Sequence, residues 1–248
     1  MLKVEFKKYG IPSDELYITE VNSKNKLDAN EVLLDILLFP INPADLLLVE
    51  GKYANKPELP SSIGAECVAR IKNIGSAVKN FNIGDIVLPL TRDSWVEEKI
   101  VKEDELIKLN SDIDLLQASM LKVNPATAYL MLNNYIKVKT NEYIIQNAAN
   151  SGVGNYIIQL CNNYEIKTIN LVRRPELIEK LKSLGADYVY NIQTINEHKK
   201  FIQQCNPKLY IDAVAGKNVN SIATFLAENS TIINYGLLSN KNIELDPY

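Results

Sequence analysis

The sequence predicts a two-domain α/β protein, a β-rich N-terminal half followed by a doubly wound parallel sheet, and three observations carry that prediction. Residues 142–160 run from a short apolar stretch through small residues into a helix-like segment, the layout of a strand, a tight loop and a helix. Near residue 114 the pattern changes from closely punctuated strands to helices alternating with short apolar strands, which implies βαβ units. At 248 residues and 46% hydrophobic content, the chain is long and apolar enough for two ordinary domains with real cores. The expected division is 1–114 and 115–248.

In the first half, strands are expected at 32–39, 66–74 and 85–90, separated by Pro40, Pro43, Pro57, Pro60, Gly75 and Gly84. Such spacing suits a compact, mostly antiparallel β domain. In the second half, strands are expected at 143–147, 168–172, 188–190, 209–214 and 230–234, with helices at 154–163, 175–184, 196–204 and 218–226. Pro175 suits a first helical turn, where its missing N–H is no loss, and Gly185 suits the C-terminal cap of the same helix. Doubly wound dinucleotide domains usually have six strands, and five are legible here. The chain stops at Glu244-Leu-Asp-Pro-Tyr248, where a helix and a sixth strand would follow, so the expectation is a form shortened at its C-terminus.

Composition excludes several classes. A net charge of −3, with 27 Lys and Arg spread along the chain, gives no basic field for nucleic acid. No apolar run approaches the ~20 residues of a membrane span, and Met1-Leu-Lys-Val-Glu-Phe6 lacks a signal-peptide layout, so the default expectation is cytoplasmic. Cys67, Cys161 and Cys205 are odd in number and widely spaced, which suggests neither a disulfide framework nor a zinc knuckle. The one histidine, His198, lies among Glu197, Lys199 and Lys200 and is expected to be solvated. No metal site is expected, and a Ser-His-Asp or Cys-His hydrolase is disfavoured.

The segment Glu142-Tyr-Ile-Ile-Gln-Asn-Ala-Ala-Asn-Ser-Gly-Val-Gly154 reads as a dinucleotide site. Small side chains let a pyrophosphate approach the backbone, and the helix start offers free N–H groups and a positive dipole end. Asn150, Ser151, Gly152, Val153 and Gly154 are the expected phosphate loop, although Ala149 stands where the G-x-G-x-x-G pattern has its first glycine. The end of the next strand faces the adenosine ribose, and there stand Arg173 and Arg174, the first of them 173 − 154 = 19 residues beyond Gly154. Two guanidinium groups suit a 2′-phosphate, which favours NADPH over NADH. A turn at Tyr235 and Gly236 follows the fifth strand at its carboxyl end, another cofactor-facing position.

In the first half, Asn42 either opens a turn at Pro43 or contacts cofactor, and Asp45 reads as the cap of a short helix at 46–48. Tyr53 is either a half-buried aromatic or a phenol that donates a proton to a carbonyl oxygen.

Together, Ile41-Asn-Pro-Ala-Asp45, Glu50-Gly-Lys-Tyr53, Pro57-Glu-Leu-Pro60, Gly64-Ala-Glu66, Val123-Asn-Pro-Ala-Thr-Ala-Tyr129, Gln146-Asn-Ala-Ala-Asn-Ser-Gly-Val-Gly154, Thr168-Ile-Asn-Leu-Val-Arg173 and Leu181-Lys-Ser-Leu-Gly-Ala186 form a pattern over essentially the whole chain. The pattern resembles the zinc-free medium-chain dehydrogenase/reductase superfamily, and within it the mitochondrial-type trans-2-enoyl thioester reductases. The resemblance implies a GroES-like N-terminal domain, a Rossmann domain and an active site in the cleft between them. It implies NADPH as cofactor and a 2-enoyl thioester, carried by acyl carrier protein or coenzyme A, as substrate. Tyr53 matches the tyrosine placed beside the thioester, Asn124 and Thr127 match cofactor contacts, and Asn42 is a further candidate at the cofactor. Zinc-dependent relatives carry a cysteine and a histidine in the regions of Asn42 and Ala65, and this chain has neither. A homodimer is the family expectation, placed in doubt by the missing strand, and a mitochondrial location would follow if a presequence had been removed. Two alternatives stay open: a quinone or enone reductase, and a non-catalytic NADPH-binding homologue.

Overall fold

The computed structural model describes residues 1–22 and 26–246, so Pro247 and Tyr248 of the expected terminal segment lie outside it. The chain forms two compact units, Met1–Val123 and Asn124–Tyr248.

The first unit contains β1 (Leu2–Phe6), α1 (Pro12–Glu15), β2 (Leu16–Glu20), β3 (Glu31–Leu38), α2 (Pro43–Val49), β4 (Ser61–Ser62), β5 (Val68–Ile74), β6 (Ile86–Pro89), β7 (Glu98–Lys102), β8 (Leu106–Lys108) and α3 (Leu115–Ala118). These build a three-stranded sheet, β2-β1-β4, and a five-stranded sheet, β7-β3-β5-β6-β8, with antiparallel pairing throughout. On β3 the alternation that marks a half-buried strand turns Val32 and Leu34 inward, where they pack with Ala69, Ile71, Phe81, Val87, Val101 and Leu106. The three strands expected from sequence are present, the first shifted one residue toward the N-terminus and the other two trimmed by two residues each. Those of the smaller sheet went unread because their apolar runs are short and interleaved with charge, as in Leu2-Lys-Val-Glu-Phe6. The expected division fell after residue 114, yet α3 packs with the first unit: Ala118 is fully buried with Val68 and Ile86, and Leu115 and Leu121 lie alongside.

The second unit contains α4 (Asn124–Asn133), β9 (Tyr143–Gln146), α5 (Gly152–Asn163), β10 (Lys167–Val172), α6 (Ile178–Ser183), β11 (Tyr188–Asn191), α7 (Lys199–Cys205), β12 (Leu209–Asp212), α8 (Asn218–Ala223) and β13 (Thr231–Asn234). Its sheet runs β11-β10-β9-β12-β13, all parallel. Both faces are covered, and neighbouring residues on one strand enter different cores. Ile144 packs with Leu209, Ile211 and Ile157, while Ile145 packs with Tyr210, Ile169 and Leu171. Strand order reverses between β9 and β12, which makes their carboxyl ends the switch point where such sheets bind ligands.

Two expected helices are shorter than read and open as 3-10 turns, Pro175–Leu177 before α6 and Ile195–His198 before α7. Gly185 follows α6 at φ +105°, the conformation its glycine was expected to serve. His198 is half-buried and stacks on Tyr190 with centroids 4.1 Å apart, so it is an aromatic partner and not simply a solvated residue.

Candidate functional site

In the second unit, the loop after β9 is held by its own backbone. Ser151 caps α5, its hydroxyl accepting from Gly154 N at 3.1 Å, and Ser151 N donates to Ala148 O at 2.9 Å. Ala148 takes φ +45°, so the turn is tighter than its side chains alone suggest. Gly154 is needed for close approach: a Cβ there would lie 2.6 Å from Ala149 O and 2.8 Å from its Cα. At Gly152 a Cβ would meet the Asn124 amide nitrogen at 2.9 Å. The structure therefore brings Asn124, the first residue of α4, against the start of α5, with Thr127 one turn further along α4.

The loop residues divide by exposure. Asn150 and Gly152 are exposed and Ser151 half-buried, while Val153 is a core side chain and Gly154 is buried. Val153 and Gly154 can thus serve a ligand through backbone only, and the Gly154 N–H is already engaged by Ser151. The N–H groups of Gly152 and Val153 sit in the first helical turn, where the helix supplies no acceptor, and they are the donors a pyrophosphate would meet.

Sequence reasoning missed the residue that organises this end of the sheet. Asp212, fully buried at the end of β12, accepts through Oδ1 from Asn147 Nδ2, from Tyr210 Oη and Val214 N at 3.1 Å each, and from Ala215 N at 3.2 Å. Its Oδ2 accepts from Asn234 Nδ2 at 2.7 Å and Ala215 N at 3.1 Å. Asn147 returns a bond from Ala213 N to its Oδ1 at 2.8 Å, and Asn234 reaches Gly236 O at 2.8 Å. Asn147 is therefore buried wiring, which ties β9, β12 and β13 together. Burial and the neighbouring Asp212 push the Tyr210 phenol well above its ordinary pKa.

The turn at 235–236 is part of the same arrangement. A Cβ at Gly236 would lie 2.8 Å from Ala213 O, and Tyr235 N donates to Asp212 O at 2.9 Å. The Tyr235 phenol is raised above its ordinary pKa by burial and hydrogen-bonds the Ser151 side chain, which links the turn to the loop before α5. Beyond β10, Arg173 and Arg174 are both exposed. They differ: Arg174 Nε lies 3.8 Å from Glu176, whereas the Arg173 guanidinium has no such partner among the described residues.

In the first unit, Asn42 is the N-cap of α2, and Asp45, expected as the cap, is instead its third residue, accepting from Asn42 N at 2.9 Å. Asn42 is buried and its Nδ2 donates to Glu66 Oε1 at 2.9 Å. Glu66, also buried, accepts through Oε2 from Lys122 N and Val123 N at 2.9 and 2.8 Å. Asn42 thus belongs to a buried clamp on the end of this unit. Burial raises the pKa of Asp45, and the backbone N–H groups of Asn42 and Ala65 only partly offset it.

Tyr53 lies in the loop after α2, half-buried against the cluster of Phe6, Leu48, Val49, Ile63 and Trp95. Tyr53 N donates to Leu47 O at 3.1 Å, so the loop folds back on the helix. Gly51 takes φ +69°, and a Cβ there would touch the Tyr9 ring at 3.1 Å. Tyr9 Oη in turn donates to Pro57 O at 2.8 Å, bracing the loop from its other end.

Two family descriptions match the chain, "Alcohol dehydrogenase GroES-like domain" over residues 28–107 and "Zinc-binding dehydrogenase" over residues 152–248. The mitochondrial enoyl-[acyl-carrier-protein] reductase of Dictyostelium discoideum is 34% identical over 98% of this chain and 72% of its own length. The chain belongs to the enoyl thioester reductases of the medium-chain dehydrogenase/reductase family. The solved enoyl thioester reductase of the Etr1p/NADP/crotonyl-CoA complex superposes with TM-score 0.91 at 29% identity, covering 99% of this chain and 78% of that one. The solved structure described as an NADPH:quinone reductase from Bacillus thuringiensis gives TM-score 0.90 at 30% identity, over 98% and 74% of the two chains. Zinc does not fit the residues of this member: the Asn42 amide is a donor engaged by Glu66, Ala65 offers no donor atom, and no group of three or more His, Cys, Asp or Glu side chains converges among the described residues.

Proposed function

We propose that this protein reduces trans-2-enoyl thioesters with NADPH. The observation that carries the proposal is the similarity to curated enoyl-acyl-carrier-protein reductases along nearly the whole chain. A cofactor half whose loop, Arg173 and 235–236 turn suit a phosphorylated dinucleotide supports it. When bound, NADPH supplies the hydride that the β carbon of the enoyl thioester accepts. The N–H groups of Gly152 and Val153 would hold the pyrophosphate, with Asn124, Thr127 and Ser151 around them, and Arg173 would meet the 2′-phosphate. As the β carbon gains hydride, negative charge would develop on the thioester oxygen, where the Tyr53 phenol would donate a hydrogen bond, and a proton delivered to the α carbon would collapse that enolate to the saturated thioester. A donor aimed at that oxygen lowers the barrier without any metal.

The test is consumption of NADPH with crotonyl-coenzyme A and longer 2-enoyl thioesters. Turnover is expected; rapid quinone reduction with no enoyl turnover would favour the second reading, which the similarity to a solved quinone reductase keeps specific. Acyl carrier protein as carrier and a mitochondrial location, in place of the cytoplasmic default, both rest on the names of the curated relatives. A homodimer is part of the same proposal.

A further inference from the structure

We infer that Arg92 is a positioning residue of the thioester site, its guanidinium held over the Tyr53 ring so that the phenol is fixed in place and strengthened as a hydrogen-bond donor. The inference rests on the proposed role of Tyr53. Arg92 Cζ lies 5.7 Å from the Tyr53 ring centroid, within range of a cation–π contact. The guanidinium is exposed and forms no direct ion pair among the described residues; its field reaches the buried Asp45 carboxyl, whose pKa it lowers, but no carboxylate covers it. The phenol hydroxyl likewise has no partner there and remains available to a substrate oxygen. A cation held over the ring draws electron density from it and so polarises the phenol O–H toward an oxygen gaining negative charge.

The backbone that presents Arg92 is held in an unusual way. Lys122 Nζ donates to the carbonyls of Thr91, Leu90 and Pro89 at 2.7, 3.2 and 3.4 Å. Lys99 Nζ donates to the carbonyl of Arg92 and, at 3.5 Å, to that of Asp93. Five consecutive carbonyls therefore accept from two half-buried ammonium groups, and neither ammonium pairs with a carboxylate among the described residues. Asp93 takes φ +62°, and its N–H donates to Gly64 O at 2.7 Å, locking the turn immediately after Arg92. Burying cations on carbonyls and holding a non-glycine residue in the left-handed region both oppose stability, and such costs concentrate at sites that need a fixed geometry. An arginine merely resting on a surface tyrosine needs neither device.

The experiment measures kcat and KM for a 2-enoyl thioester in the full chain for Arg92→Gln, Arg92→Lys, Tyr53→Phe and the Tyr53→Phe/Arg92→Gln double variant, with NADPH binding and melting temperature as controls. Arg92→Gln is expected to lower kcat about fivefold, with NADPH binding unchanged, and Arg92→Lys to restore most of the loss. In the Tyr53→Phe background the same Arg92→Gln change is expected to have no further effect, since the route through the phenol is gone. An equal loss in both backgrounds, or no loss in either, overturns the inference while leaving the role of Tyr53 standing. If Tyr53→Phe itself leaves the rate unchanged, the reading of Tyr53 falls and this inference falls with it.

Discussion

The loop proposed for the cofactor and the loop that carries Tyr53 are held in place by different means. Around 147–154 the geometry comes from backbone approach and buried wiring: Gly154 against Ala149, Ser151 as cap, and Asp212 gathering donors from three strand ends. Around 51–53 it comes from partly exposed side chains, with Tyr9 and Arg92 bracing a loop that folds back on α2. A cofactor common to many reactions can be met by a rigid frame of main-chain groups. A substrate is met by side chains on a loop, which can change without rebuilding the sheet. The two regions should therefore fail differently when altered.

The largest effect is expected at the frame. Asp212→Ala leaves the N–H groups of Val214 and Ala215 without their acceptor and removes the carboxylate that joins the Asn147 and Asn234 amides and the Tyr210 hydroxyl. It should cost at least about 3 kcal/mol of stability, read by denaturant unfolding, and abolish NADPH binding with it. Next comes Gly154→Ala, which drives a methyl into the Ala149 backbone and should cost about 2–3 kcal/mol. Gly152→Ala meets only the Asn124 side chain, which can turn away, so it should cost under about 1 kcal/mol while still weakening NADPH binding. Equal losses at the two glycines in a thermal melt would contradict the packing described for α5.

The smallest effect lies on the other side, at Asp45. Burial raises its folded pKa above the unfolded value, so the folded state binds more protons in the window above the ordinary carboxylate pKa. Its contribution to stability is therefore greatest at low pH and falls as pH rises through the raised value. Asp45→Asn keeps an acceptor for Asn42 N and removes the buried charge. At neutral pH it should be more stable than the parent by up to about 1 kcal/mol, with the gap closing as pH falls into the carboxylate range. A gap that widens on acidification would reverse the assigned sign.

What the sequence made legible follows from this contrast. The parallel strands announced themselves because burial on both faces demands continuous apolar runs, and the phosphate loop because close backbone approach demands small residues. The spacing placed Arg173 at the end of a strand, and it stands exposed immediately after β10. Asp212 was not, because Leu209-Tyr-Ile-Asp212 looks like any strand end until Asn147 and Asn234 are brought to it from 65 and 22 residues away. Glu66 was hidden for the same reason, its partners lying 56 and 57 residues on. Arg92 sits in a turn whose form depends on Lys99 and Lys122, and nothing in Thr91-Arg-Asp93 announces a partner for Tyr53.

The most direct test of the account is Tyr53→Phe assayed on two acceptors, a 2-enoyl thioester and a quinone, with NADPH binding measured alongside. Loss of the phenolic donor should lower kcat for the enoyl thioester by about 100-fold and leave cofactor binding and any quinone reduction nearly unchanged. An enoyl rate that survives the substitution intact would contradict the placement of Tyr53 at the thioester oxygen.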